Sequence, residues 1–166
     1  MAWIYHYASP LGDMTMASDG EALVSLCFDG QKHFSTALPS GAVEGRLPVF
    51  NMTSRWLDIY FSGNEPDFMP PLKMQGTDFR QAVWKILLDI PYGKTITYGE
   101  IAARRVRARG LTAMSAQAVG GAVGHNPISI IVPCHRVIGA AGKMVGYGGG
   151  LDRKIALLEM EEIKER

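Results

Sequence analysis

The sequence predicts a two-part fold, an N-terminal α/β domain with a small, mainly antiparallel sheet followed by a mainly helical C-terminal domain. Three observations support this prediction. Short segments rich in β-forming residues and divided by turn residues fill the start of the chain. Residues 62–71 have the Pro, Gly and polar composition of a linker. After them, apolar residues recur at helical spacing. We place the domain boundary at residue 70, so the domains cover 1–70 and 71–166.

Three strands and one helix are predicted in the N-terminal domain. The strands cover 2–8, 13–18 and 22–28, and the turns between them have the composition of an antiparallel meander. Residues 35–48 resemble a loop. From Phe50 to Phe61, bulky apolar residues recur at spacings of 3, 4 and 7, which predicts an amphipathic helix.

The C-terminal domain begins with two predicted helices. Apolar spacing predicts a helix from Phe79 to Ile90 that the following Pro-Tyr-Gly sequence ends. Thr97 and Glu100 have the spacing of a capping box, which predicts the start of a short helix that reaches about Arg105.

A further helix is predicted over 113–123, after a basic connection at 104–110 that holds four arginines. This helix has few large side chains and contains two adjacent glycines, each costing about 1 kcal/mol relative to alanine. Either a second helix packs very closely on it, or it approaches a nucleic-acid groove as part of a helix-turn-helix. The sequence leaves both alternatives open.

A final helix is predicted near the C-terminal end. Asp152 is the expected N-cap, and Ile155, Leu158 and Ile163 are the expected inward-facing residues. Before it, glycines between 142 and 150 surround Tyr147. They do not form a phosphate-binding loop, because no Gly-Lys-Ser/Thr sequence ends them. They suit close approach of a flat ligand, with a plain flexible loop as the alternative.

Composition excludes several classes of protein. An apolar fraction of 47% with 20% charged residues is ordinary for a globular protein, and no apolar run reaches the roughly 18–20 residues of a membrane span. No signal peptide is evident, and two cysteines make no disulfide framework, so we expect a reducing, cytoplasmic setting. Residues 1–76 carry a net charge of −4 and residues 77–166 one of +5. The C-terminal half is therefore expected to approach a polyanion, unless the segregation is chance.

The segment from residue 128 to residue 136 carries the chemistry that the sequence suggests. The apolar run 128–132 predicts a buried strand or extended segment, and Cys134, His135 and Arg136 follow Pro133 at once. Positive neighbours favour the thiolate, which is the nucleophilic form of cysteine. No second cysteine lies nearby, which excludes a zinc or redox pair spacing. A lone buried cysteine is often structural, so both readings stay open at this point.

The segment at 128–136 is accompanied by further motifs along the C-terminal half of the chain. The chain resembles the O6-alkylguanine-DNA alkyltransferases from about residue 76 to residue 161, and weakly through the Ser9–Gly12 region. The motifs that carry this resemblance are Pro133–Val137, Gly76-Thr77, Phe79, Ile90–Gly93, Tyr98-Gly99, Ala118–Gly120, Asn126-Pro127 and Leu157-Leu158.

The resemblance implies a ribonuclease H-like N-terminal domain and a helix-turn-helix that binds the minor groove of double-stranded DNA. It also implies a single-turnover enzyme, a monomer without cofactor or membrane association. Such an enzyme flips an O6-alkylguanine out of the duplex and transfers the alkyl group irreversibly to a cysteine.

By the same resemblance, Cys134 is the alkyl acceptor, and His135 takes the thiol proton through a bound water. Glu161 holds the imidazole in the correct tautomer, as in a nucleophile–base–orienter triad. The neighbouring acids Glu159 and Glu162 are better interpreted as surface residues. Asn126 is expected to brace the turn before the active-site strand. Tyr98 is expected to assist departure of guanine, with a partly solvated helix residue as the alternative.

The resemblance also implies a base pocket and a DNA-binding surface. Tyr147 and the backbone of Gly148 are expected to line the pocket, and the carbonyls of Cys134 and Val137 to accept from the exocyclic amine. The small residues Ala118 and Gly120 let the helix backbone lie close to the minor groove. Phosphate or groove contacts are expected from Gln117, Arg104, Arg105, Arg107, Arg109 and Arg136.

Two departures from the family pattern are visible. Gln117 stands where the family usually places an arginine that enters the base stack, which keeps hydrogen bonding but removes the charge. The turn between the two helices is longer than usual, and its arginines contact phosphates or form a solvated loop. Some family members bind zinc, but Cys27, His6 and His33 do not form a recognisable ligand set. We interpret Cys27 as a core residue and expect no metal.

Two other classes of function remain as alternatives. One is a helix-turn-helix module that binds DNA and uses Cys134 only structurally. The other is a Cys-His hydrolase that acts repeatedly on a small ester or amide and ignores DNA.

Overall fold

The computed structural model describes residues 2–31, 39–109, 116–144 and 146–165, without the side chains of 105–109, 116 and 163–165. In the N-terminal domain it contains β1 (Trp3–Ser9), β2 (Gly12–Ser18), β3 (Leu23–Phe28), β4 (Val43–Glu44) and α1 (Pro48–Phe61). The three predicted strands are confirmed to within one residue at each end. The segment predicted as a loop contains the short strand β4.

The four strands form one sheet in the order β3-β2-β1-β4. The long strands are antiparallel and β4 is parallel to β1, so the sheet is mainly antiparallel as predicted. Ser9 pairs with Gly12 across a two-residue turn. Gly12 has a φ of +128°, and a Cβ there would lie 2.6 Å from the Arg153 guanidinium. This turn therefore requires glycine, both for its backbone conformation and for its contact with the C-terminal domain.

Helix α1 packs its apolar face on the sheet, as the spacing predicted. It begins with Pro48, which suits the first position because its missing N–H would lack a helical partner anyway. Its buried residues are Val49, Phe50, Thr53, Trp56, Leu57 and Tyr60.

The outer edge of β3 joins the two domains. Leu23 donates to the carbonyl of Pro71 and accepts from the amide of Lys73. Further along, Leu26 donates to the carbonyl of Pro127 at 2.9 Å and accepts from Ser129 at 2.8 Å. These bonds cover the sheet edge and attach the segment before Cys134 directly to the N-terminal sheet.

The C-terminal domain is mainly helical. Its elements are α2 (Asp78–Leu88), β5 (Ile96–Thr97), α3 (Tyr98–Arg109), α4 (Ala116–Gly124), a 3-10 helix (Cys134–Arg136), β6 (Val137–Ile138), a 3-10 helix (Ala140–Gly142) and α5 (Leu151–Glu165). Strands β5 and β6 pair in parallel. No helix in the described part of the chain is both long and apolar enough to span a membrane.

The predicted capping box at the start of α3 is confirmed. The Glu100 amide donates to Thr97 Oγ1 at 3.0 Å, and the Thr97 amide donates to the Glu100 carboxylate at 3.4 Å. Helices α3 and α4 pack against each other as consecutive helices of a helix-turn-helix. Residues 110–115 between them lie outside the described residues.

The prediction that 104–110 forms a connection is wrong. Helix α3 continues to Arg109, so most of the basic run is helical. Arginine and alanine are good helix formers, and the first strong helix breaker in this stretch is Gly110.

The prediction that 128–132 forms a strand or extended segment is also wrong. The segment is buried, but it folds into tight turns in which Val132 donates to the carbonyl of Ile128. Ile130 has a φ of 69°, which is rare for a β-branched residue. A short apolar run indicates burial but does not fix the backbone conformation.

The inward face of α5 differs from the prediction. Lys154, Leu157 and Glu161 are buried, whereas Ile155 is 38% exposed. Leu158 is half-buried, and the side chain of Ile163 lies outside the described residues. Asp152 is an exposed residue of the first turn and not the N-cap, since the helix begins at Leu151. Burial of a lysine and a glutamate is unusual without specific partners, and hydrophobic periodicity cannot predict it.

We expect Leu26→Ala to lower the free energy of unfolding by about 3 kcal/mol, because Leu26 is fully buried between the sheet and the C-terminal domain. Urea denaturation of the variant measures this loss. Met52→Ala is the matched control, since Met52 is 39% exposed and its truncation should cost about 0.5 kcal/mol or less. Equal losses in the two variants would contradict this assignment of the core.

Candidate active site

Cys134 begins the first 3-10 helix and is only 9% exposed. Its side chain lies at a cavity of about 360 Å³ between α4, Tyr98 and the glycine-rich loop. The cavity is lined by Gln31, Tyr98, Gly120, Gly121, Val123, Gly124, His125, Asn126, Ser129, Cys134, Gly146, Tyr147 and Gly148. A cavity of this size can admit a flat ligand to a thiol that is otherwise enclosed.

Asn126 holds the turn that presents the cysteine. Its amide nitrogen donates to the carbonyl of Val132 at 2.8 Å, and its amide oxygen accepts from the amide of Ile128 at 3.0 Å. These two bonds close the buried turn from within, where water cannot satisfy the backbone. The geometry agrees with the bracing role expected for Asn126.

The Cys134 thiol is protonated at rest. Burial raises its pKa to about 11, although the Asn126 amide and the Lys154 ammonium act in the opposite direction. The positive neighbours expected to favour the thiolate therefore do not lower the pKa of this thiol below its ordinary value. Desolvation outweighs the nearby cation, and His135 and Arg136 both bind Glu161. Any reaction at this sulfur needs a base to remove the proton.

Glu161 is fully buried and accepts hydrogen bonds at both carboxylate oxygens. Oε2 lies 2.5 Å from His135 Nε2 and accepts from Tyr60 Oη at 2.5 Å. Oε1 accepts from Arg136 Nε at 2.8 Å and from the amide of Gly93 at 3.1 Å. Burial would raise the pKa of this carboxyl, but the hydrogen bonds and charges of His135 and Arg136 outweigh it and lower the pKa to about 2. Glu161 is therefore ionised.

His135 has the arrangement of a base oriented by a carboxylate. It is fully buried, and burial lowers its pKa despite the neighbouring Glu161 charge, so the ring is neutral at pH 7. The contact between Nε2 and the carboxylate assigns the proton to Nε2. Nδ1 is buried and makes no hydrogen bond to the described residues, so its lone pair is available to accept a proton.

The predicted role of Arg136 as a DNA contact is wrong. Its side chain is 10% exposed, and its guanidinium binds Glu161 and the carbonyl of Ile90. It also lies over the ring of Tyr92, 5.6 Å from the centroid. Arg136 neutralises the buried carboxylate and cannot reach a phosphate without breaking these contacts.

Tyr98 and Tyr147 both line the cavity at Cys134. Burial raises the pKa of each hydroxyl, and proximity to Cys134 raises it further, so both stay protonated and can donate. A Cβ on Gly149 would lie 2.7 Å from the Tyr147 ring and 3.0 Å from Phe28. The glycine at this position therefore lets the loop backbone pack on the Tyr147 ring.

Lys154 supports the same loop from α5. Its ammonium donates to the carbonyl of Val137 at 2.6 Å and to that of Gly146 at 3.2 Å. The Val137 carbonyl, expected to accept from a substrate amine, therefore already accepts one hydrogen bond from within the protein.

The surface of α4 indicates in part why this helix has so few large side chains. Gln117 and Ala118 are exposed, and a Cβ on Gly120 would make only an ordinary contact with Tyr98 at 3.9 Å. A Cβ on Gly121 or Gly124 would meet nothing within 4 Å. Packing within the described residues therefore does not require these glycines, which favours the groove alternative. Arg104 is exposed on α3. The side chains of Arg105, Arg107 and Arg109 are not among those that the structure describes.

Sequence reasoning missed two residues of the site, Tyr60 and Lys154. Tyr60 was counted only as part of the apolar face of α1, and Lys154 had no predicted role. The available signal was chemical, since a buried tyrosine hydroxyl or lysine requires a hydrogen-bond partner. Glu159 and Glu162 are exposed, as predicted.

Cys27 lies in β3 and is 1% exposed, which places it in the core. His33 lies outside the described residues. Among the described residues, no cluster of three or more His, Cys, Asp or Glu side chains could hold a metal ion.

Comparisons with known proteins cover nearly the whole chain. The model of the family described as "6-O-methylguanine DNA methyltransferase, ribonuclease-like domain" matches residues 4–74. The model described as "6-O-methylguanine DNA methyltransferase, DNA binding domain" matches residues 78–163.

Individual proteins give the same result. The methylated-DNA–protein-cysteine methyltransferase of Mycobacterium tuberculosis is 48% identical over 159 residues, covering 93% of this chain and 88% of the relative. That of Mycobacterium leprae is 48% identical over 157 residues, covering 93% and 88%. The crystal structure of Mycobacterium tuberculosis OGT in complex with DNA has a TM-score of 0.85 at 45% identity, covering 97% of this chain and 93% of that chain.

We expect the raised pKa of Cys134 to make stability fall at alkaline pH. A group whose folded pKa is raised from 9.0 to about 11 stabilises the fold fully below about pH 9, and this contribution is lost as pH rises through 11. Wild type should therefore lose on the order of 2–3 kcal/mol more than Cys134→Ser between about pH 8 and pH 11. Denaturant titrations of both proteins measure this difference. A difference that does not change with pH would contradict it.

Proposed function

The chain belongs to the 6-O-methylguanine DNA methyltransferase family, and we propose that it repairs double-stranded DNA by moving the alkyl group from O6 of guanine to Cys134. Each molecule acts once, because the thioether formed is stable. The observation that carries this proposal is a thiol at a 360 Å³ cavity, next in sequence to a buried His135 that is paired with Glu161 of α5. The chemistry of the site requires no cofactor.

The proposed transfer is a displacement at the alkyl carbon. The bond from Cys134 Sγ to that carbon forms as the carbon–O6 bond breaks, and the bonding electrons leave with guanine. The thiol proton passes to His135 Nδ1, through a bound water in keeping with the family. Glu161 stabilises the imidazolium that results, because it is ionised before the reaction begins. Tyr98 donates to the departing purine, for which its protonated hydroxyl at the cavity is suited.

The cavity supports extrusion of the target base from the duplex. Cys134 is too enclosed to reach a stacked base, so the base must enter the protein. We propose that the base binds between Tyr98, Tyr147 and the backbone of Gly148, with the carbonyls of Cys134 and Val137 accepting from its amine.

We propose that α4 lies in the minor groove of the DNA. Its exposed start at Gln117 and Ala118 adjoins the cavity lined by Gly120, so a base leaving the duplex there has a short path to Cys134. Contacts from Arg104, Arg105, Arg107 and Arg109 to phosphates are part of the same proposal. The chain acts as a monomer in the cytoplasm, where it has access to DNA and its thiols stay reduced.

Intact-protein mass spectrometry after incubation with a duplex containing one O6-methylguanine tests the function. We expect a gain of one methylene that stops at one equivalent and maps to Cys134, because the thioether cannot turn over. Cys134→Ser is the control and should gain nothing while still binding the duplex. DNA binding without any gain by the wild type would instead indicate a lesion-binding module. Repeated turnover of a small ester without DNA would indicate a hydrolase.

Gln117→Arg should accelerate repair. A longer, charged side chain fills the space left by the extruded base and pairs with the orphaned cytosine better than glutamine does, so the single-turnover rate should rise roughly 3–10-fold. Gln117→Ala removes the hydrogen bonds and should slow transfer by a similar factor. The rates are measured by quenched-flow assay on the same duplex at fixed salt. If neither variant changes the rate, Gln117 does not enter the stack.

A further inference from the structure

The hydroxyl of Tyr60 reaches the buried acid of the site from the N-terminal domain. Tyr60 lies near the end of α1, is fully buried, and donates to Glu161 Oε2 at 2.5 Å across a separation of 101 residues. In the described structure it is the side chain by which the N-terminal domain binds Glu161.

Packing fixes the ring that carries this hydroxyl. Trp56 stacks on Tyr60 with ring centroids 5.4 Å apart and planes 9° from parallel. Phe61 and Tyr92 contact it edge-on, with centroids 5.5 and 6.2 Å away. The hydroxyl therefore has a defined position, which a general apolar contact would not require.

Tyr60 and His135 share one carboxylate oxygen. His135 Nε2 and Tyr60 Oη each lie 2.5 Å from Glu161 Oε2, and they lie 3.4 Å from each other. Burial and the Glu161 charge raise the pKa of Tyr60 well above 10, so the hydroxyl keeps its proton and directs it to the carboxylate. Oε2 of Glu161 thus accepts hydrogen bonds from both Tyr60 and His135, so its negative charge stabilises two donors.

We propose that Tyr60 is a positioning residue for alkyl transfer, which holds Glu161 in place and keeps His135 neutral by sharing Glu161 Oε2. This inference rests on the proposed function. It gives the N-terminal domain a part in the chemistry, since the domain supplies one of the donors that set the basicity of His135.

The expected effect follows from all the groups that face Glu161. Among the described residues, four donors bind it: Tyr60 from α1, the Gly93 amide from the 91–93 loop, and His135 and Arg136 from the 3-10 helix. Tyr92 lies near the carboxylate without a hydrogen bond to it, and the Lys154 ammonium of α5 acts on His135. Without the Tyr60 hydroxyl, the Glu161 carboxylate accepts one hydrogen bond fewer. It then attracts the proton on His135 Nε2 more strongly. The pKa of His135 should rise, so that a larger fraction of the ring is already protonated and unable to accept the thiol proton.

Tyr60→Phe tests the proposal, because it keeps the ring and removes only the hydroxyl. The single-turnover rate of methyl transfer at pH 7 should fall about tenfold, the size expected for one hydrogen bond to a charged group. The acid limb of the pH–rate profile should move to higher pH. Tyr92→Phe is the matched control, since it removes a buried hydroxyl beside the same ring that makes no hydrogen bond to the described residues. The control should leave the profile unmoved.

A second measurement does not depend on transfer. The ¹⁵N chemical shifts of the His135 ring, followed against pH, report its tautomer and its pKa in the folded protein. We expect the titration to move to higher pH in Tyr60→Phe and to stay unchanged in Tyr92→Phe.

The outcomes separate the two proposals. If the wild type transfers no methyl group, the proposed function fails, and the His135 titration alone decides the role of Tyr60. An unchanged profile and titration in Tyr60→Phe would overturn the positioning role, even if the rate fell with loss of stability. In that case the hydroxyl would serve folding alone.

Discussion

The ionised carboxylate of Glu161, held without solvent, is the constraint on which the rest of the structure depends. Isolated burial of such a charge is prohibitively costly, so the fold must bring donors to it. They arrive from α1, from the loop after α2, and from the 3-10 helix of Cys134. These segments belong to both domains, and the close attachment of the domains along β3 keeps the donors in register. The docking of the two domains and the chemistry proposed for the site therefore both depend on the Glu161 side chain.

The resting site is arranged to keep its two proton-transfer groups uncharged. Burial raises the pKa of Cys134 and lowers that of His135, so neither a thiolate nor an imidazolium is present before substrate binds. A protonated, enclosed thiol reacts slowly with oxidants and adventitious electrophiles. This suits a protein that can use its nucleophile only once. In the proposed transfer, charge separation begins only when the alkyl carbon is in place, beside a carboxylate that is already ionised.

Much of the fold and of the site could be predicted from the sequence, for identifiable reasons. Strand positions follow from turn residues, and the start of α3 follows from a local capping pair at Thr97 and Glu100. The Cys134–His135 segment is contiguous and matches a family motif. Tyr60 could not be assigned, because its partner is distant in sequence and its spacing is that of an apolar helix face. The inward face of α5 was missed since Lys154 and Glu161 are buried by specific partners, which periodicity does not detect.

The bond between Tyr60 and Glu161 also bears on the order of folding. It joins residues 101 apart, and such contacts form only after a large entropic cost of closing the chain has been met. Helices α1 and α2 can form from local sequence, but the acid, the imidazole and the hydroxyl meet only when both domains have docked. In a molecule whose domains have not docked, Cys134 and His135 are therefore present without the Tyr60 hydroxyl on Glu161, and the complete set of side chains assembles only at the end of folding.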